Sequence, residues 1–322
     1  MPILERDPWR DQYFESVTCP DNLIIPTDDG DAYQLYPQHR WVYNKLLICD
    51  TQELVHAPHG LTPPFFPVFS KPIYNMKGMG TDSKIIDTPA QYERDQAPGH
   101  MWMPLLTGEH VSSDFAIVDG EPVWSRHAIG KSIGDGMFDY WTILAESRPE
   151  IEAYCGEWLR RNMKGYSGIV NFETIGTKII ECHLRMSDQW VDLYGPGWCD
   201  SLVELYQHKR WTFADENRHT GYSVVLFGAH GLTYKKVDRD LIEELLGRPE
   251  ISSIQIPFHE DKPPEAHAMP PGGFRLAIVN CWDIDVGIEA RQRLAVRFWP
   301  TQKLRRRRHR INGAKAKQTQ AQ

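Results

Sequence analysis

The chain has 322 residues, 36 Lys and Arg against 43 Asp and Glu, and 41% hydrophobic side chains, a balance that excludes intrinsic disorder, collagen and extended coiled coil. No apolar run approaches the roughly 18 residues of a membrane span, and the start MPILERDPWRDQYF has charges where a signal peptide is apolar, so a soluble, cytoplasmic protein is expected. Residues 301–322 hold eight Lys and Arg and no acid, so a tail of +8 leaves −15 on the rest of the chain. That tail reads as a solvated, disordered extension.

In chain order, DNLIIPTDDGDAYQ reads as a strand entering a turn, and HRWVYNKLLICDTQELV as a short helix or two. A proline-rich connector leads into the strand PVFSKPIYN, the loop KGMGTDS and a second strand, KIIDT. The segment from Met101 to Gly130 predicts two or three strands with a hairpin turn at Asp119-Gly120. RPEIEAYCGEWLRRNM predicts a helix with proline in its first turn. After the hairpin IVNFETIGTKIIECHL come the helices CDSLVELYQH and RDLIEELLG, the buried strand RLAIVNCW and the amphipathic helix GIEARQRLAVRFW. The class is α+β. Six cysteines without a C-x-x-C pair are expected to be reduced and mostly buried.

Two segments carry chemistry. Lys71 precedes the loop Lys77-Gly78-Met79-Gly80-Thr81-Asp82-Ser83, and a glycine loop brings backbone N–H groups close to phosphate oxygens. A dinucleotide-binding turn would open a helix, whereas KIIDT is β-branched and followed by proline, so strand–loop–strand is expected. A surface hairpin beside a lysine is the plainer reading of this loop alone. In the second segment, a three-residue turn centred on Gly176 predicts Asn171 opposite Glu181 and Glu173 opposite Ile179. Asn171, Glu173, Glu181 and His183 then share one sheet face, with Val170, Phe172, Ile180 and Cys182 on the other. Oxygen ligands of this kind suit Mg²⁺ beside phosphates, and a solvated sheet face is the alternative.

The order of these features resembles the ATP-grasp superfamily over about residues 40 to 195. Asn44-Lys45 is similar to the lysine before that family's lid. SKPIYNMKGMGTDSK is similar to its second lysine and mobile loop, and IIECHLR to its final Glu-x-Asn-x-Arg motif. The resemblance implies two α+β subdomains gripping a nucleotide, with a shortened N-terminal portion. It divides the chain into an N-terminal region 1–60, lid and hinge 61–125, a central subdomain 126–300 and the tail 301–322.

It further implies ATP contacts from Lys45, Lys71, Gly78, Gly80, Ser83, Met103 and Glu109, and metal ligands among Asn171, Glu173, Glu181 and His183. Lys71 and Arg185 would act on the transferring phosphoryl group, with Arg126 and Lys131 as further candidates for anion contact. Two departures stand out: Asn171 replaces the usual acid or Gln of the first hairpin strand, and His183 replaces the asparagine. A neutral histidine favours Mn²⁺ over Mg²⁺ more than an amide does.

The activity implied is ATP-dependent ligation of a small-molecule or peptide carboxylate, activated as an acylphosphate, to an amine or similar nucleophile. The alternative is a catalytically inactive protein that keeps nucleotide or partner recognition. In that alternative the basic run within residues 303–317 is a candidate contact for nucleic acid, a solvated end being the plainer reading. The acid and the nucleophile are not legible.

Overall fold

The computed structural model describes residues 3–4, 9–76, 80–262, 267, 272–298 and 300–303. Gly78 and residues 304–322, with most of the basic run, lie outside them.

The strands are β1 (Ile3–Leu4), β2 (Ile25–Pro26), β3 (Ala57–Pro58), β4 (Val68–Pro72), β5 (Lys84–Ile86), β6 (His100–Pro104), β7 (His110–Val118), β8 (Glu121–Gly134), β9 (Met137–Ile143), β10 (Gly168–Ile175), β11 (Lys178–His183), β12 (Gly221–Gly228), β13 (Leu232–Tyr234), β14 (Ile251–Gln255), β15 (Phe274–Cys281) and β16 (Pro300–Lys303). The α-helices are α1 (Asp29–Leu35), α2 (Lys45–Asp50), α3 (Pro89–Asp95), α4 (Pro149–Asn162), α5 (Trp198–His208), α6 (Arg239–Leu246) and α7 (Ile284–Arg297).

The strands form a four-stranded sheet, in the order β3-β6-β4-β5, and an eight-stranded sheet in the order β11-β10-β7-β8-β9-β12-β15-β14. The expected strand–loop–strand is therefore present, with β4 antiparallel to β5. The segment expected to turn after β2 instead forms α1, because Asp28 accepts the Asp31 N–H at 2.8 Å and caps the helix.

Residues 200–300 supply three strands to the large sheet, and α6 and α7 bury Leu245, Ala290 and Leu294 in one core with them. One face of β7, β10 and β11 packs Phe115, Phe172 and Ile179 against Trp158 of α4. Burial of this face is the main force that fixes the hairpin's orientation. All six cysteines are free thiols, and four of them are buried. Among the described residues no helix is long and apolar enough to cross a membrane.

Candidate active site

The hairpin β10–β11 turns through two residues, Gly176 and Thr177, so Ile175 pairs with Lys178 and Thr174 with Ile179. Gly176 takes φ of +59°, and a Cβ on Gly108 (φ +128°) would lie 2.9 Å from the Gly176 Cα. Both positions therefore require glycine, and the Gly176 N–H donates to the Glu109 carbonyl at 3.0 Å, locking the hinge onto the hairpin tip. Beyond Thr174 the register slips by one residue. Glu173 then faces Glu181, and Asn171 faces His183.

This corrects the expected pairing of Asn171 with Glu181 and Glu173 with Ile179. The expected polar face survives because the slip is a β-bulge that leaves Ile180 unpaired. The bulge turns Ile180 away from the α4 core, where Ile179 takes its place. Ile180 packs instead with Met101, Met103 and Cys49 between the two sheets.

The bulge also frees the Ile180 carbonyl, which accepts a hydrogen bond from the Lys71 Nζ at 2.8 Å. Lys71 sits on β4 and is 3% exposed. Burial pulls its ammonium down to about 8, against the partial support of Glu181. Lys45, the first residue of α2, reaches Glu181 Oε1 at 3.4 Å. Its own N–H donates to the Ile73 carbonyl at 3.1 Å, joining α2 to the end of β4. Two lysines from different elements thus converge on the acidic hairpin.

One ligand atom each from Glu173, Glu181 and His183 lie within 4.8 Å of one another. His183 is buried, and its Nδ1 lies 3.0 Å from both carboxylate oxygens of Asp29. Its Nε2 is buried without a hydrogen-bond partner and stands 3.6 Å from Glu181 Oε2. A neutral imidazole that donates from Nδ1 presents a lone pair at Nε2. A lone pair aimed at carboxylates, with no proton donor between them, fits a divalent cation at this point. His110 Nε2 lies 3.3 Å from Glu173 Oε2. Burial works against charge on both, but their mutual hydrogen bond outweighs it, holding Glu173 below the usual carboxylate range and raising His110.

Asn171 is positioned by Asp114, which accepts from the Asn171 Nδ2 at 2.8 Å, the Ser187 N–H at 2.9 Å and the Tyr194 hydroxyl at 2.8 Å. The amide nitrogen is thereby used, leaving the Asn171 oxygen as its acceptor toward a cation. Arg185 donates from Nη2 to Asp29 at 3.2 Å, with Nε 3.1 Å from the other carboxylate oxygen. Arg185, Asp29, Asn171, Glu173, His183 and Trp141 line a cavity of about 350 Å³.

Other expected contacts lie elsewhere. Gly80 accepts from the Ser83 N–H at 3.1 Å, closing the described end of the glycine loop. Met103 is buried on β6 opposite Phe69. Glu109 is exposed and reaches Arg148 at 3.4 Å instead of the cluster. Arg126, considered for anion contact, is buried against Asp215 at 3.0 Å, and Lys131 is exposed over the Tyr140 ring. Asp29, His110 and Asp114 belong to the site although the sequence reading did not name them. The legible signal for Asp29 is the doubled acid of TDDGD, since one aspartate suffices to cap α1.

No protein-family model and no curated protein matches the sequence. Solved structures do match by fold. The L-amino acid ligase from Bacillus licheniformis is similar at 13% identity over 89% of this chain and 82% of that one, with a TM-score of 0.59. Phosphoribosylamine–glycine ligase from Thermotoga maritima is similar at 12% identity over 91% and 86%, with a TM-score of 0.59. Carboxyaminoimidazole ribonucleotide synthase from Aspergillus clavatus, solved with ATP, is similar at 12% identity over 82% and 80%, with a TM-score of 0.57. These likenesses in fold identify the architecture that the sheets and helices build: the chain has the ATP-grasp fold.

Proposed function

We propose that the chain is an ATP-dependent ligase that activates a substrate carboxylate as an acylphosphate and joins it to an amine. The observation that carries this reading is the convergence of Lys45 and Lys71 on the hairpin that carries Glu173, Glu181 and His183, beside a cavity lined by Glu173, His183 and Arg185.

Phosphoryl transfer requires positioning and charge neutralisation more than covalent help from the protein. Lys45 and Lys71 would hold the triphosphate, and the segment around Gly80 and Ser83 would cover it. Glu173, Glu181 and His183, with the Asn171 oxygen, would hold a divalent cation, Mg²⁺ or Mn²⁺. Such a cation neutralises charge on the phosphate oxygens. A substrate carboxylate oxygen in the cavity would attack the γ-phosphorus as the bond to ADP breaks. Arg185, held by Asp29, would stabilise the acylphosphate. An amine nitrogen then forms the bond to the acyl carbon, and inorganic phosphate leaves with the former carboxylate oxygen. The paired tryptophans Trp141 and Trp190, 5.4 Å between centroids, give that cavity an apolar wall against which a substrate side chain can rest.

ADP release is the direct test, with ATP, Mg²⁺ or Mn²⁺, and panels of amino acids and other small carboxylates and amines. Release that needs both an acid and an amine is the expected result. ATP binding without release for any pair would favour the inactive, nucleotide-binding alternative.

A further inference from the structure

We propose that Asp29 is a positioning residue for the cation site, fixing His183 as the tautomer that offers Nε2 as a nitrogen ligand beside Glu173 and Glu181. This deepens the ligase reading and rests on it, since it concerns the same site.

The geometry leaves the imidazole little choice. Both Asp29 oxygens lie 3.0 Å from Nδ1, so that nitrogen donates, and in the neutral ring the opposite one carries the lone pair. Moving the ring proton to Nε2 would set the Nδ1 lone pair against a carboxylate that is itself 5% exposed. Asp29 is in turn held by two groups: the Tyr43 hydroxyl donates to Oδ1 at 3.2 Å, and Arg185 holds both oxygens. The Tyr43 hydroxyl also accepts the Leu184 N–H at 3.1 Å, tying this support to the backbone that carries His183. The Arg185 guanidinium on both its oxygens gives Asp29 a charged partner in a buried position.

A carboxylate on the far nitrogen of a ligating histidine fixes its orientation and raises its basicity, and losing it weakens metal binding by about 10- to 100-fold. The ligand set becomes two carboxylates and one imidazole beside the Asn171 oxygen, with α1 as part of the metal support although Asp29 lies 154 residues before His183.

The experiment is pulsed electron paramagnetic resonance of Mn²⁺ bound to the full chain, with ordinary and ¹⁵N-histidine-labelled protein, alongside Mn²⁺ titrations. The expected result is a directly coordinated nitrogen signal that changes with the isotope and disappears in His183→Gln. Asp29→Asn retains an acceptor for Nδ1 but not its charge, and is expected to weaken Mn²⁺ binding by about tenfold with the nitrogen signal kept. Asp29→Ala is expected to lose the signal. Should Asp29→Ala not fold, the wild-type and Asp29→Asn measurements still decide. An oxygen-only Mn²⁺ signal in the wild type overturns the proposal, as does Mn²⁺ affinity of Asp29→Asn within twofold of wild type. ATP binding that persists beside either result leaves the ligase reading standing, whereas absence of both Mn²⁺ and ATP binding removes both.

Discussion

Lys71 Nζ donates to the Ile180 carbonyl across the gap between the two sheets, at 2.8 Å. The bond exists because a bulge releases that carbonyl from the strand ladder, and it places a buried ammonium beside an acidic hairpin. A structural lysine would be poorly placed here, since burying a charge is costly unless it is paired.

Lys71→Met should therefore leave the fold intact, because methionine fits the adjoining apolar cluster of Met101, Met103 and Phe69. Thermal unfolding should occur at the wild-type temperature or a few degrees higher. ATP affinity should fall by at least a hundredfold, as read by calorimetric titration. A destabilised variant that still binds ATP would assign Lys71 a structural role.

The pH dependence follows from the same residue. Its folded value of about 8 lies below the ordinary 10.5, so between these limits the unfolded chain holds more proton than the folded one. The cost of burying the charge is present in full below pH 8 and is relieved as pH rises toward 10.5, by about 3 kcal/mol at most. Phosphate binding favours the charged form, so ATP affinity should fall as pH rises through 8. In Lys71→Met both the stability difference and the affinity trend should flatten. Denaturant titrations and ATP titrations across pH 7 to 10 measure the two.

On the same face of the large sheet, where Arg126 of β8 lies opposite Asp114 of β7, Asp215 pairs with Arg126, accepts from the Trp124 Nε1 at 2.7 Å and pairs with Arg218 at 2.9 Å. Asp215→Ala leaves the buried Arg126 guanidinium uncompensated and should cost about 3–5 kcal/mol. ATP affinity measured below the new unfolding temperature should stay within twofold, because none of these residues touches the lysine pair or the hairpin carboxylates.

Within the hydrophobic face, Phe172 is fully buried against Trp158 and Phe115. Phe172→Ala should destabilise the protein by about 3–5 kcal/mol in equilibrium unfolding. Loss of nucleotide binding at a temperature where the variant remains folded would show that the hairpin's register depends on this contact.

Much of the fold was legible because it is local. Pro149 at the start of α4, the alternation of β10 and β11, and the β-branched strand after the glycine loop each state their element within a dozen residues. The polar face of the hairpin was legible for the same reason. Its register was not, because alternation gives the same faces for any shift by two, and the bulge at Ile180 depends on burial against a separate sheet. Asp29 was read as part of a turn because its role arises only when α1 meets β11. Asp114 looked like one more residue of a strand until its three hydrogen-bond donors came together from β10 and the segment after β11.

The most direct measurement is thermal unfolding with ATP, ADP and GTP, each with Mg²⁺, with Mn²⁺ and with a chelator, in wild type and Glu181→Gln. Ligands that bind the native state raise its stability by mass action. ATP with either metal should raise the unfolding temperature of the wild type, and the chelator or Glu181→Gln should remove most of the rise. No shift with any nucleotide and either metal would contradict the assignment of the lysine pair and the acidic hairpin to phosphate and cation binding.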